Sequence, residues 1–351
     1  SALRLLLLPL AWLYGAALMV RHALYDGGIL KSTTPEIPTI IIGNLALGGT
    51  GKTPMLELAL RLLGGDHQLA TLSRGYGRKG DDFKEVQAED SAEEVGDEPL
   101  QVKRKFAGVR VFVGADRVAS LRSIVATVEG LQAVVLDDAF QHRRLHGSLN
   151  VLLTTYQEPW FADHLLPAGN LRDLPSRRAG AQVVVVTKCP ALPSASEQRE
   201  WKAKLRLRAD QELFFSGIEY EEPKWAVGVG QLSPSAADRC LLFTGIVNAT
   251  PLVDHLRSTF KRVEHIAFAD HQPFSKADLA GLATRYATFA PGPKMLITTE
   301  KDAARLGSVI AGSALEGTPI ATIGMRAVIL NEPERFAALI KDHVATHTAH
   351  R

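Results

Sequence analysis

Gly48-Gly49-Thr50-Gly51-Lys52-Thr53 follows a β-branched apolar run, Thr39 to Ile42, and precedes a helical pattern over residues 55–63. That strand–loop–helix order is what a phosphate-binding loop requires. The turn Ala46-Leu47-Gly48-Gly49-Thr50-Gly51 has the glycines needed for backbone N–H groups to close around phosphate oxygens, and the helix N-terminus adds its dipole. Lys52 is then placed to reach the β- and γ-phosphates, and the Thr53 hydroxyl to hold Mg²⁺. Ala46 stands where the pattern usually has its first glycine, a change small enough to permit the turn. The chemistry indicated is the handling of a nucleoside triphosphate such as ATP.

A second apolar run, Gln132 to Leu136, ends in Asp137-Asp138. A carboxylate at the end of a buried parallel strand supplies the magnesium-holding Asp in proteins with such a loop. Ala139-Phe140-Gln141-His142-Arg143 then brings amide, imidazole and guanidinium beside it. In Gly96-Asp97-Glu98-Pro99 the acids stand at a first helical turn. A carboxylate there serves as a cap, a Mg²⁺ ligand or a general base, and spacing does not choose among the three. Ser73-Arg74-Gly75-Tyr76-Gly77-Arg78 suits a loop near phosphate or, equally, a basic surface turn. The turn from Leu165 through Asn170 delivers Arg172. Asp270-His271 follows one strand pattern, and Thr299-Glu300-Lys301-Asp302 sits at the C-terminal edge of another, where ligands of open α/β sheets bind.

These groups need elements to hold them. Strand and helix patterns alternate through about residue 187, as a doubly wound parallel sheet requires. A new α/β pattern begins at Leu241, after β-like pieces set among Pro and Gly. The expected organisation is α/β: residues 1–30 an apolar membrane-interface helix, 31–210 a P-loop NTPase-like domain, 211–235 a β-rich hinge. Residues 236–351 form a smaller α/β domain whose last helix packs back on the protein. A length of 351 residues fits two domains. The net charge of +2 argues for no nucleic-acid partner, and Lys103-Arg104-Lys105, Arg143-Arg144 and Arg177-Arg178 read as solvated surface. Two cysteines, Cys189 and Cys240, make neither a disulfide framework nor a metal cluster, which fits a reducing cytosol.

Residues 5–20 carry no charge and are flanked by Arg4 and Arg21-His22. Sixteen helical residues span about 24 Å, short of the roughly 30 Å hydrocarbon core. A cleaved signal would take the phosphate loop away from ATP, and a buried core helix is the plain alternative. The favoured expectation is a helix lying in the membrane interface, with Trp12 and Tyr14 at headgroup level. It implies a substrate that lives in the membrane.

The motifs together resemble the tetraacyldisaccharide 4′-kinase family of the lipid A pathway of Gram-negative bacteria. The resemblance rests on Gly43-Asn44 with Gly48 to Pro54, Leu72 to Tyr76, Gly96 to Pro99, Leu136-Asp137-Asp138 with Phe140-Gln141-His142, and Leu165 to Arg172. Asp270-His271 and Thr299 to Asp302 complete it. Ala139 departs from a usual glycine and Gln272 from a usual histidine. The resemblance implies two α/β domains joined by a β-stranded hinge, ATP and Mg²⁺ in the cleft, and a monotopic helix on the cytoplasmic face of the inner membrane. It implies γ-phosphoryl transfer to the 4′-hydroxyl of a membrane-embedded glycolipid, tetraacyldisaccharide 1-phosphate, giving lipid IVA. On this resemblance Asp97 falls on the catalytic base, His271 on its partner and Lys52 on the phosphates. Thr53, Asp137, Asp138 and Glu98 fall around the metal, and Ser73, Arg74, Gln141, His142, Asn170 and Arg172 toward the substrate. No obligate protein partner is expected. The residues alone leave a second reading, a P-loop GTPase or ATPase switch or metallochaperone acting through protein partners. The apolar N-terminal run and the lack of a Cys/His cluster argue against it.

Overall fold

The computed structural model describes residue 4 and residues 6–65, 67–228, 237–270, 272–289, 291–307 and 309–349. His271 lies outside the described residues. Helix α1 (Leu8–Asp26) precedes β1 (Thr39–Asn44), which runs through the glycine loop into α2 (Lys52–Leu63). Then come β2 (Leu69–Ser73), β3 (Lys84–Glu85), the one-turn α3 (Ala92–Val95), α4 (Asp97–Lys105), β4 (Arg110–Val113), α5 (Arg117–Thr127) and β5 (Ala133–Asp137). β6 (Leu149–Thr155), β7 (Val183–Thr187), α6 (Ala195–Lys204) and β8 (Glu212–Tyr220) follow. The chain next crosses into β9 (Lys224–Val227), β10 (Arg239–Thr244), α7 (Thr250–Thr259), β11 (Arg262–Ala267), α8 (Lys276–Thr288), β12 (Lys294–Thr299), α9 (Glu300–Leu306) and β13 (Ile320–Ile323). It returns through β14 (Met325–Ile329) and α10 (Pro333–Ala349).

The large sheet has the order β14-β8-β7-β6-β1-β5-β2-β4-β3, parallel from β8 through β4 with an antiparallel strand at each edge. Its central strands are buried along their whole length, so both faces must be covered. On one face Leu56, Leu60 and Leu63 of α2 join Phe336, Ile340 and Val344 of α10 in a single core. On the other, Val118, Leu121 and Ile124 of α5 recur at helical spacing over Ile41 and Val134. β1 lies between β5 and β6, so the chain order reverses on either side of it. That reversal opens a crevice at the strand C-termini, and the glycine loop leaves β1 there.

The smaller sheet runs β11-β10-β12-β13-β9, its first four strands parallel. The stretch expected as a hinge, 211–235, is divided between the two sheets. β8 pairs with β7 and β14 in the large sheet, and β9 pairs with β13 in the small one. The crossings therefore fall at residues 221–223 and at Gly324, and residues 325–349 belong to the large unit.

Helix α1 buries a narrow stripe, Ala11, Gly15, Leu18 and His22. A Cβ on Gly15 would come 2.9 Å from Leu165 Cδ1, so glycine lets the helix lie close on the loop leading to Arg172. The rest of the helix leaves Leu10, Trp12, Leu13, Met19 and Val20 more than half exposed. Among the described residues no helix is long and apolar enough to cross a membrane.

Candidate active site

The glycine loop owes its shape to Gly48 and Gly51, which have φ of 95° and 85°. Side chains are strained there, and glycine is not. Ala46 has no such φ; it bridges Leu171 in extended pairing, so the missing glycine costs nothing. The loop is braced on both flanks. Asn44 Nδ2 donates to Thr50 Oγ1 at 2.7 Å, and Thr187 Oγ1, at the end of β7, donates to the Thr50 carbonyl at 2.8 Å. Across from these, Leu47 N–H donates to the Asn170 carbonyl at 2.8 Å, and Arg172 N–H to the Leu45 carbonyl at 2.9 Å. Asn170 thus meets the loop through its backbone.

The acids at the end of β5 divide their work. Asp138, at φ 51°, accepts a two-pronged bond from Arg172: Nη1 donates to Oδ2 at 2.9 Å and Nη2 to Oδ1. Lys52 Nζ approaches the same carboxylate at 4.0 Å. Burial acts to raise the Asp138 pKa, but the Arg172 bond with Lys52 and Arg117 outweighs it, and the group titrates below the usual carboxylate range. Asp137 has the opposite balance. Burial, reinforced by the negative charge of Glu98, pushes its pKa up to about 7. Its Oδ1 is buried with no hydrogen-bond partner. Thr53, Ser73, Glu98 and Asp137 line one small cavity. A buried carboxylate with one unbonded oxygen, beside a hydroxyl and a second carboxylate, is an oxygen donor set suited to a hard divalent cation. Among the described residues no three His, Cys, Asp or Glu side chains cluster as a self-sufficient metal centre. Magnesium beside a phosphate loop needs few protein ligands, because phosphates and water complete its shell.

Opposite stands the start of α4. Gly96 has φ 93°, turning the chain so that Asp97 enters the helix 5% exposed. Asp97 Oδ1 accepts from Glu98 N–H at 2.9 Å. The smaller unit contributes two cations here. Lys301 Nζ lies 3.9 Å from Asp97 Oδ2, 3.5 Å from Glu98 Oε1 and 3.6 Å from Asp270 Oδ1. Arg305 Nε lies 3.7 Å from Asp97 Oδ2, while its other nitrogens donate to Asp302, to the Gly245 carbonyl at 2.8 Å and to the Gln272 carbonyl at 3.2 Å. The neighbours of His271 on both sides therefore meet cations that face Asp97.

A cleft of about 410 Å³ joins these groups, lined by Ser73, Arg74, Tyr76, Asp97, Glu98, Arg117, Asp137, Asp138, Gln141, His142 and Arg172. The Gln141 amide donates to the Asn44 carbonyl, and burial together with Arg117 lowers the His142 pKa. Arg117 is a further cation of the cleft that no motif marks. It is 5% exposed, donates through Nη1 to the Gly114 and Ala115 carbonyls at 3.0 and 3.2 Å, and leaves Nε unbonded. Its position right after the helix cap Asp116, at the C-terminal edge of a parallel strand, was the available signal. Lys301 was singled out only as part of a polar stretch, and Arg305 was not. Helix α1 closes the remaining side: the Tyr14 hydroxyl donates to the Arg172 carbonyl at 2.8 Å and Arg21 to the Gln141 carbonyl at 3.1 Å.

Comparison with known proteins bears on this arrangement. The profile of a family described as tetraacyldisaccharide-1-P 4′-kinase matches residues 3–345. The tetraacyldisaccharide 4′-kinase of Flavobacterium johnsoniae is 37% identical over 348 residues, covering 98% of each chain. That of Bacteroides fragilis is 39% identical over 308 residues, covering 86% of this chain and 82% of its own. Among solved structures, LpxK from Aquifex aeolicus in complex with ATP matches with a TM-score of 0.73 at 26% identity, covering 97% of this chain and 99% of that one.

Proposed function

The chain belongs to the tetraacyldisaccharide-1-P 4′-kinase family, and from that premise we propose how its residues divide the phosphoryl transfer. It is an ATP-dependent tetraacyldisaccharide 4′-kinase of lipid A biosynthesis, acting on a glycolipid. The relatives that match most of the chain are tetraacyldisaccharide 4′-kinases, which favours phosphoryl transfer over the switch or metallochaperone reading.

In the proposed arrangement the Gly48–Thr53 loop and Lys52 hold the ATP phosphates. Asp97 accepts the proton of the 4′-hydroxyl as its oxygen bonds to the γ-phosphorus and the bond to the bridging oxygen of ADP breaks. The observation carrying this reading is that Asp97 lines one cleft with Asp138, the carboxylate that Lys52 approaches at 4.0 Å. His271, next in sequence to Gln272, whose carbonyl accepts from Arg305, is assigned as the partner of Asp97. Thr53, Asp137 and Glu98 would hold Mg²⁺, which neutralises phosphate charge when bound. Asp138 has less capacity for it, since Arg172 takes both its oxygens. Arg172 and Lys52 instead form a cationic rim facing the phosphates. Ser73, Arg74, Gln141, His142 and Arg117 are assigned to the acceptor's polar head, with Asn170 supporting the loop from behind.

The exposed Leu10, Trp12, Leu13, Met19 and Val20 support α1 as a helix lying in the bilayer interface, on the cytoplasmic face of the inner membrane where ATP is present. The acyl chains of the substrate would remain in that layer. Incubating the protein with ATP, Mg²⁺ and tetraacyldisaccharide 1-phosphate tests the assignment: a bis-phosphorylated lipid and ADP are expected in equal amounts. ATP hydrolysis without phosphorylated lipid would refute it.

A further inference from the structure

Lys105 stands at the end of α4 remote from Asp97, in a basic triplet whose sequence suggests a solvated surface. It is instead enclosed between two carboxylates. Nζ lies 2.9 Å from Glu57 Oε2, on α2 behind the phosphate loop, and 2.6 Å from Glu300 Oε2, on α9 of the smaller unit. Glu57 is 1% exposed and is also held by Gln101 Nε2 at 2.9 Å and by Arg61 at 3.3 Å. One ammonium therefore ties together the helix of the phosphate loop, the helix that begins with Asp97, and the second unit.

The contact sits at the pivot between the units. Glu221 N–H, where the chain leaves the large sheet, donates to the carbonyl of Gly324, where it returns, at 2.9 Å. A Cβ on Gly324 would lie 3.2 Å from Glu300 Oε1 and 2.8 Å from Glu221 Oε2, so Glu300 packs against the returning crossing, and Glu221 of the outgoing one meets it there. At the other end of α4, Lys301, the next residue in the chain, reaches Asp97 and Glu98. We propose that Lys105 is a positioning residue, a clasp at the pivot that sets the smaller unit against α4 and so sets Lys301 and Arg305 against Asp97. This rests on Asp97 being the base.

The geometry predicts which kinetic constant suffers. The phosphate loop belongs wholly to the large unit, so loosening the clasp leaves ATP binding intact and spoils alignment for transfer. Glu300→Gln is the discriminating variant. It removes the charge from the bond across the units, leaving a neutral amide acceptor, and keeps Lys105 on Glu57; Glu300 is partly exposed, so the fold is retained, which a thermal melt verifies. The expected result is a kcat reduced by about tenfold or more with the KM for ATP within about twofold of wild type. Lys105→Arg keeps both arms and keeps kcat, whereas Lys105→Met behaves as Glu300→Gln or worse. Spin labels placed one on each unit report a broader distance distribution in Glu300→Gln. A wild-type kcat with an unchanged distribution overturns the clasp, as does a loss that falls equally on ATP binding. The Asp97→Ala variant separates the two claims: if it remains active the base assignment fails, and if it is inactive beside a fully active Glu300→Gln only the clasp fails.

Discussion

His22 of α1 and Asp173 meet at 2.6 Å, with side chains 7% and 1% exposed, one residue beyond the arginine that forks onto Asp138. A helix whose outer face is greasy is therefore built into the active site by its inner face. Breaking a buried pair by removing one member leaves the other uncompensated, at a cost of about 3 kcal/mol. His22→Ala and Asp173→Ala are each expected to lower the unfolding free energy by about that amount in a denaturant titration. A loss below about 0.5 kcal/mol, the range of ordinary surface substitutions, would show that the pair does not matter.

The same contacts govern how membrane attachment must be tested. Deleting residues 1–22 removes Tyr14 and His22 together with the apolar face, so reduced function would have two causes. Substituting Trp12, Leu13 and Val20 by Ser touches only exposed positions. The triple variant is expected to stop floating with liposomes while its melting temperature stays unchanged. Flotation equal to wild type would remove the interface assignment.

Asp137 makes a prediction about pH. Its folded pKa of about 7 lies above the ordinary carboxylate value of about 4, so between these limits the folded state binds the extra proton. Stability then falls as pH rises through that window and stays lower above it. Metal-free protein should lose melting temperature between pH 5 and pH 8, and Asp137→Asn should lose less. Adding Mg²⁺ at pH 8 should recover stability in wild type and not in the variant. Equal pH dependence in both proteins would reject Asp137 as the strained carboxylate.

Arg172→Lys keeps the charge and loses the fork. An ammonium is a point donor without the separated nitrogens by which Arg172 spans both oxygens of Asp138 while Nη2 also reaches the Asn44 side chain. Turnover is expected to fall by about tenfold or more, with the loss of one or two charge-assisted bonds. Full activity would show that charge alone suffices there.

The large sheet was legible because its strands are buried on both faces and are written as unbroken β-branched runs, such as Val183 to Val186. The phosphate loop and the Asp137-Asp138 pair were legible because each is a local pattern in strand context. The pairing of β8 with β14 was not: Ser216 meets Ile329 across more than a hundred residues, and neither segment signals its partner. For that reason the hinge was expected over 211–235 rather than at two short crossings. Lys105, Arg117 and Arg305 were missed for another reason. A charged residue on a short helix looks the same in sequence whether it faces water or a buried carboxylate, and only the packing of α9 on α4 and of α5 on its strand decides.

The proposed transfer depends most on Asp97 taking the proton of the acceptor hydroxyl. Single-turnover transfer by Asp97→Asn, measured beside equilibrium ATP binding, tests it directly. The expected result is ATP affinity near wild type with a transfer rate reduced by about a hundredfold to ten-thousandfold, the usual contribution of a positioned base. A transfer rate within about threefold of wild type, well inside that range, would contradict the assignment.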